Sequence, residues 1–229
     1  MSQSLKILSS MATRSLLAEL TGRFRQAHGV AADLEAVGGV DAARRVEAGD
    51  SADVVVLAGS AIDQLIASGR LDADHRRDLV SSGVAVAVRA GAVRPDISSE
   101  AALRDAVLQA PTIGYSTGPS GVHLLKVFDR WGIAERIRER LVQAQPGIPV
   151  GSLVAQGKVA IGFQQTSELM NLPGIDVLGP LPEAAQITTF FTAAVSASSD
   201  QRESAAALIR FMALPEQDEL KRRHGMEPA

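Results

Sequence analysis

The sequence predicts an α/β protein with mainly parallel sheets, and three observations predict it. Short apolar runs such as Val54-Val55-Val56-Leu57 and Val84-Ala85-Val86-Ala87-Val88 read as strands buried on both faces. Longer segments between them carry apolar residues at three- and four-residue spacing, the pattern of helices packed on a sheet. The two kinds of segment alternate almost throughout, as crossover-connected strands require. With 229 residues the chain suits one large domain or two small lobes. A chain of that length buries on the order of 70% of its unfolded surface, enough for a core without staples.

Taken in order, Leu5-Lys6-Ile7-Leu8 is a short strand, and Leu16, Leu17, Leu20, Phe24 and Ala27 mark a helix that stops at Gly29. Ala42 to Ala48 suits a short helix, Gly49-Asp50 a turn, and Val54 to Leu57 a strand. Ile62, Leu65 and Ile66 define a helix closed by Gly69. After the strand at Val84 to Val88, Ser98-Ser99-Glu100 opens a helix through Leu103 and Val107. Thr112-Ile113-Gly114-Tyr115 is a strand, followed by Ser116-Thr117-Gly118-Pro119-Ser120-Gly121 and a helix carrying Val122, Leu125 and Phe128. Leu153 to Gln156 is helical, while Val159 to Phe163, Ile175 to Leu178 and Thr188 to Val195 are strands. Glu203 to Leu214 closes the pattern as a helix with Ala207, Leu208 and Phe211 inward.

Composition removes whole classes of function. The absence of cysteine excludes disulfides, thiolate nucleophiles, Cys-ligated zinc and iron–sulfur clusters. His28, His75 and His224 lie far apart without metal-ligand spacing, and no cofactor fingerprint occurs, so neither metal nor cofactor is expected. A formal net charge of −3 and 3% aromatic residues argue against a nucleic-acid partner, which calls for basic surfaces and stacking platforms. No run approaches the roughly 20 apolar residues of a membrane helix. The opening MSQSLKILSSMATRSLLAEL has neither a basic n-region nor a sustained apolar h-region. The chain as written reads as cytoplasmic, and as periplasmic if a leader has been removed.

A strand, a small polar turn and a helix recur at Ser9-Ser10, Gly59-Ser60, Ser116 to Gly121 and Gln164 to Ser167. In open α/β sheets ligands collect outside the carboxyl ends of strands, where helix N-termini present free N–H groups. Neutral hydroxyls and amides in such turns suit a small anion, each helix N-terminus contributing about 0.3–2 kcal/mol. Each turn also has a structural reading: Ser9-Ser10 as a helix cap, Ser116 to Gly121 as a Pro-containing cap, Gln164-Gln165-Thr166 as a polar loop. The Ser116 to Gly121 turn matches neither a phosphate-binding P-loop nor a nucleophile elbow.

Six pieces then fall in a familiar order: ILSSMATRSLLAELTGRFRQAHG, AARRVEAGDSADVVVLAGSAIDQLIASGRL, SSGVAVAVRAG, STGPSGVHLLKVFDRWGI, GKVAIGFQQTSEL and SAAALIRFMALPEQDELKRRHGMEPA. Together they resemble the type II periplasmic-binding-protein fold, in its molybdate-binding-protein-like branch of transporter substrate-binding proteins, over nearly the whole chain. The resemblance implies two lobes joined by two crossings, with a ligand cleft between them that closes by a hinge. Lobe one would hold residues 1–82 plus 195–229 and lobe two residues 83–194. Carried over by position, the ligand contacts are Ser9, Ser10, Gly59 and Ser60, then Ser116, Thr117, Ser120, Gly121, Gln164, Gln165 and Thr166.

Two departures bear on the ligand. Where the family's oxyanion binders place a Ser, this chain has Gly38-Gly39-Val40, and where they place a Tyr it has Gln165. Fewer hydroxyl donors and one more amide favour a planar carboxylate over a bare tetrahedral oxyanion. The segment FQQTSELMNLPGIDVLGPLPEAAQITTFFTAAV and the HGMEPA ending resemble the aconitate isomerases, an offshoot of the same fold.

Two functions are expected to compete. One is binding of a small anion, an organic carboxylate or an oxyanion such as molybdate, which an exported form would hand to a transporter permease. The other is a cofactor-free isomerase of an unsaturated polycarboxylate, whose donors stabilise an enolate-like intermediate while one base moves the proton. His123 and Tyr115 are the available bases; both also read as packing residues, His123 on the first turn of its helix and Tyr115 at the end of a strand.

Overall fold

A computed structural model describes residues 4–229. In chain order the elements are β1 (Leu5–Ser10), α1 (Arg14–His28), β2 (Ala32–Val37), α2 (Gly39–Glu47), β3 (Val54–Ala58), α3 (Gly59–Ala67) and β4 (Arg77–Arg89). They continue with α4 (Glu100–Gln109), β5 (Ile113–Tyr115), α5 (Pro119–Arg130), α6 (Ala134–Ile137), β6 (Leu141–Gln143), α7 (Val150–Ala155), β7 (Ile161–Gln165) and α8 (Thr166–Leu169). The last are β8 (Ile175–Pro180), β9 (Thr188–Val195), α9 (Arg202–Met212), α10 (Asp218–Arg223) and β10 (Glu227–Pro228). The chain divides into two compact units, Met1–Ser81 with Phe190–Ala229, and Ser82–Thr189. The sequence expectation stood at 82/83 and 194/195, and residues 1–3 of its first lobe lie outside the described residues.

In unit one β1 runs parallel to both β2 and β3, with Leu5 opposite Ala32 and Ile7 opposite Val54. The uninterrupted apolar character of β3 has a plain cause: alternate residues serve opposite faces, both of them covered. Leu5, Ile7, Val54 and Val56 meet Leu16, Leu17, Leu20 and Phe24 of α1 and Leu208, Ile209 and Met212 of α9. Leu8, Val55 and Leu57 meet Ala42 and Val46 of α2 and Ile62 and Leu65 of α3. Gly29, at φ 72°, ends α1 in the left-handed conformation that a side chain resists.

In unit two β5 is parallel to β6 and β7, with Tyr115 opposite Gln143 and Phe163. Leu103, Ile113, Leu124, Val127, Phe128 and Phe163 form its main core. A second cluster of Val150, Val154 and Val159 holds α7 to the sheet.

The α/β class holds, but the pairing is more mixed than mainly parallel. β3 pairs antiparallel with β9, and β4 antiparallel with β7, β8 and β10. Strand β2 was not expected, and β4 is longer than its apolar half suggested. Strand β7 runs two residues further than expected, so Gln164 and Gln165 lie in a strand rather than a turn. On α5 Phe128 faces inward as expected, together with Leu124 and Val127, while Val122 is 54% exposed. Among the described residues no helix is long and apolar enough to cross a membrane.

Candidate functional site

In unit one, three parallel strands bring their carboxyl ends to one edge. Ser10 of β1 lies opposite Val37 of β2, and Ser9 opposite Val56 of β3. The chain leaves these ends through Ser10 toward α1, Gly38 into α2 and Ala58 into α3, so Ser9, Ser10, Gly59 and Ser60 share that edge. Ser9 is fully buried and its Oγ donates to Ser10 O at 3.3 Å. Ser10 is a cap: its Oγ accepts from Ala12 N at 3.3 Å. That bond does not consume its hydroxyl proton, which stays available to an acceptor. Gly39 lies against it, a Cβ built there standing 3.7 Å from Ser10 Oγ. Gly59 opens α3 where a Cβ would meet Thr192 Oγ1 at 3.1 Å, with the Arg76 guanidinium 3.7 Å away. Thr192 donates to Asp78, and Arg76 pairs with both Asp63 and Asp78. Ser60 is exposed.

In unit two the ends of β5, β6 and β7 form a second such edge. It holds Ser116, Thr117, Ser120 and Gly121 beside Gln164, Gln165 and Thr166. Ser116 Oγ and Ser120 Oγ are hydrogen-bonded at 3.1 Å. Gly121 is fixed by contact, since a Cβ on it would stand 1.9 Å from Ser116 O. Gln164 faces α7: its Oε1 accepts from Gly151 N at 3.3 Å and its Nε2 donates to Glu168 Oε1 at 2.8 Å. Gln165, oriented to satisfy its neighbours, donates to Ser82 O at 3.0 Å and Gly83 O at 3.1 Å and accepts from Thr189 Oγ1 at 2.9 Å. Thr166 Oγ1 donates to Gly83 O at 3.0 Å. Two kinds of donor result. Ser10, Thr117 and one hydroxyl of the Ser116–Ser120 pair keep a proton for a ligand, whereas both glutamines and Thr166 spend much of their capacity inside the protein.

Tyr115 packs on the core of unit two, its ring edge 3.2 Å from a Cβ built at Gly121. His123, two residues past Gly121, is partly buried. Its pKa is held below the usual value by desolvation first and by Lys126 and Arg130 next, so the ring is neutral at pH 7. The remaining histidines have structural partners: His28 packs against Phe24 and, edge-on, Phe211, His75 pairs with Asp72 and His224 with Glu19.

One group escaped sequence reasoning. Glu168 lies in the first turn of α8, and desolvation pushes its carboxyl up to about 7 against the hydrogen bond from Gln164. Strongly shifted carboxyls concentrate at functional sites. In sequence it is one more acidic residue at a helix start, where such residues are common for electrostatic reasons. Beside it, Ser167 Oγ is buried with no partner among the described residues.

An α/β fold with donor turns at strand ends describes a solute-binding protein, and the comparisons agree. The chain belongs to the bacterial extracellular solute-binding proteins, whose family model matches residues 5–227. An aconitate isomerase of Pseudomonas sp is 36% identical over 232 residues, covering 98% of this chain and 87% of that protein. The periplasmic molybdate-binding protein of Azotobacter vinelandii has the same fold at 17% identity, with a TM-score of 0.83 over 99% of this chain and 100% of that one. The sulfate-binding protein SubI of Mycobacterium tuberculosis H37Rv follows at 18% identity, TM-score 0.80, over 99% and 87%. The fold is thus the type II periplasmic-binding-protein fold that the sequence resembles.

Proposed function

We propose that the protein binds a small organic carboxylate through uncharged donors at its strand ends. The observation that carries this reading is the set of hydroxyls at helix starts that retain donor capacity: Ser10 in unit one and the Ser116–Ser120 pair in unit two. Hydroxyls and helix N-termini favour negative charge without fixing it to one counter-ion. An organic ligand is favoured over a bare oxyanion by what surrounds the donors. Gly39 brings no side chain to Ser10, and Val40, next to Gly39 in the chain, and Phe190, whose backbone oxygen lies near Gly59, are 57% and 51% exposed. Titration calorimetry against cis-aconitate, trans-aconitate, citrate, molybdate and tungstate tests the reading, with heat expected from an organic acid. Silence from all five removes it. In an exported form such a protein would deliver its ligand to a transporter permease.

The aconitate isomerase relative favours a second reading, in which capture is followed by proton transfer within an unsaturated polycarboxylate. A proton leaves one carbon and another is gained two carbons away, with no net redox change, so one base and a donor edge suffice. His123 is the better base of the two expected, because its ring is neutral at pH 7. Proton spectra of cis- and trans-aconitate in deuterated buffer decide the matter: signal loss and interconversion support the reading, and unchanged spectra with demonstrable binding leave capture alone.

A further inference from the structure

The donor edge of unit two carries a titratable carboxyl that neither capture nor the expected bases employ. Gln164 is 3% exposed, yet its amide is fixed at both ends, by Gly151 N and by Glu168. The Gly151 end is walled by apolar side chains, a Cβ there meeting Leu172 Cδ1 at 2.5 Å and Leu169 Cδ2 at 3.0 Å. The Glu168 end lies in the first turn of α8, where the hydroxyl of Ser167, the preceding residue in the chain, is buried without a partner among the described residues. A buried amide spanning a helix start and a carboxyl is a relay with one ionisable terminus.

We propose that Glu168, tied through Gln164 to the first turn of α7, takes up a proton when an anion occupies the donor edge of unit two. This rests on the anion-binding reading above. A second negative charge brought to the edge disfavours the ionised carboxyl, the like-charge effect that raises a carboxyl pKa. Burial already holds this carboxyl at about 7, so the added charge acts within the neutral range. Once protonated, the carbonyl oxygen of Glu168 still accepts from Gln164, and the new O–H becomes a hydrogen-bond donor. The groups packed around it leave the carboxyl uncompensated. Its one opposing influence is the hydrogen bond from uncharged Gln164 of β7; Leu169, Leu172 and Ile175 around Gly151 of α7 are apolar, and Asp176 of β8 turns to Arg94 at 3.2 Å and Gly91 N at 3.4 Å.

Two measurements on the full chain test the proposal. The first is a 13C titration of the glutamate carboxyls in the free protein, with Glu168→Gln assigning the resonance; a midpoint near 7 is expected. A midpoint in the ordinary glutamate range overturns the linkage whatever the ligand. The second is calorimetry with trans-aconitate between pH 6 and 8, in buffers of differing ionisation enthalpy. Relative to Glu168→Gln, the wild type is expected to take up a proton and to lose affinity toward about tenfold per pH unit above pH 7. The ligand's own titration is common to both proteins and cancels in that difference. Equal pH profiles overturn the proposal, while failure of trans-aconitate, cis-aconitate and molybdate to bind at any pH overturns the anion reading together with it.

Discussion

Gly121 shows how little freedom the Ser116 turn has. Its φ is unremarkable, so the requirement is steric: any Cβ stands 1.9 Å from Ser116 O. Gly121→Ala must therefore push the turn away and separate Ser116 from Ser120. A destabilisation of about 3 kcal/mol is expected, in the range of overpacked sites. Urea unfolding reads it as a lower midpoint at unchanged slope, and a loss under about 0.5 kcal/mol would mean that the turn opens freely. Glu168 makes the opposite kind of prediction. Its folded pKa of about 7 lies above the ordinary 4.5, so between those values the native state binds more protons than the unfolded chain. Stability contributed at this site is therefore present below about pH 4.5 and lost as pH rises to about 7. Glu168→Gln is expected to match wild type at pH 4.5 and exceed it at pH 8 by on the order of 2–3 kcal/mol. At roughly 2–4 °C per kcal/mol for a chain of this size, that difference is readily seen in thermal melting. His123, whose pKa is lowered, works the other way and costs stability as pH falls below its ordinary value.

At the scale of elements, the site of unit two depends on how α7 reaches the sheet. Gly114 of β5 lies opposite Gly162 of β7, and the bare backbone there receives the helix. A Cβ on Gly114 would meet Val159 Cγ1 at 2.7 Å, and one on Gly162 would meet Val154 Cγ2 at 2.6 Å. Gly162→Ala is expected to cost about 1–3 kcal/mol and to lift α7, whose Gly151 N holds Gln164. Faster exchange of the Gly151 amide proton would report that lift, and unchanged exchange would show that α7 is held independently. Ser99→Ala removes the Oγ that caps α4 at Ala102 N, 3.1 Å away. It is expected to cost about 1 kcal/mol without altering ligand affinity, which makes it a control for the edge variants. The same scale explains what the sequence discloses. Strands such as β3 and β9 and helices such as α3 are legible because burial writes itself into uninterrupted or periodic apolar residues. Strand β2, ADLEAV, has no fully buried residue, so nothing in its composition separates it from a loop. Gln164 and Gln165 read as a turn because buried amides need fixed partners. Those partners, Gly151 and Thr189, lie 13 and 24 positions away. The shift of Glu168 comes from desolvation, which only folding creates.

At the scale of the whole molecule, the chain order constrains how its stability is assembled. Unit one is built from both ends of the sequence: Leu208, Ile209 and Met212 of α9 share a core with β1 and α1, and β9 completes the pairing of β3. Unit two, drawn from one continuous segment, has a core of its own. A ligand that binds only the native chain adds its binding free energy to this balance, about 2.7 kcal/mol at one hundred times Kd. For a protein of this size that corresponds to a rise in Tm of roughly 5–10 °C. The proposed chemistry therefore predicts a rise of that size with cis- or trans-aconitate and a smaller one, or none, with molybdate at equal concentration. Variants at the two edges extend the test. Ser10→Ala in unit one and Ser120→Ala in unit two each remove one hydroxyl donor, a loss of about 1–3 kcal/mol when the acceptor is charged, and each is expected to shrink the rise with aconitate. A rise that survives both substitutions would mean that the ligand is held elsewhere on the chain. A larger response to molybdate than to either aconitate would return the protein to the oxyanion binders whose fold it shares.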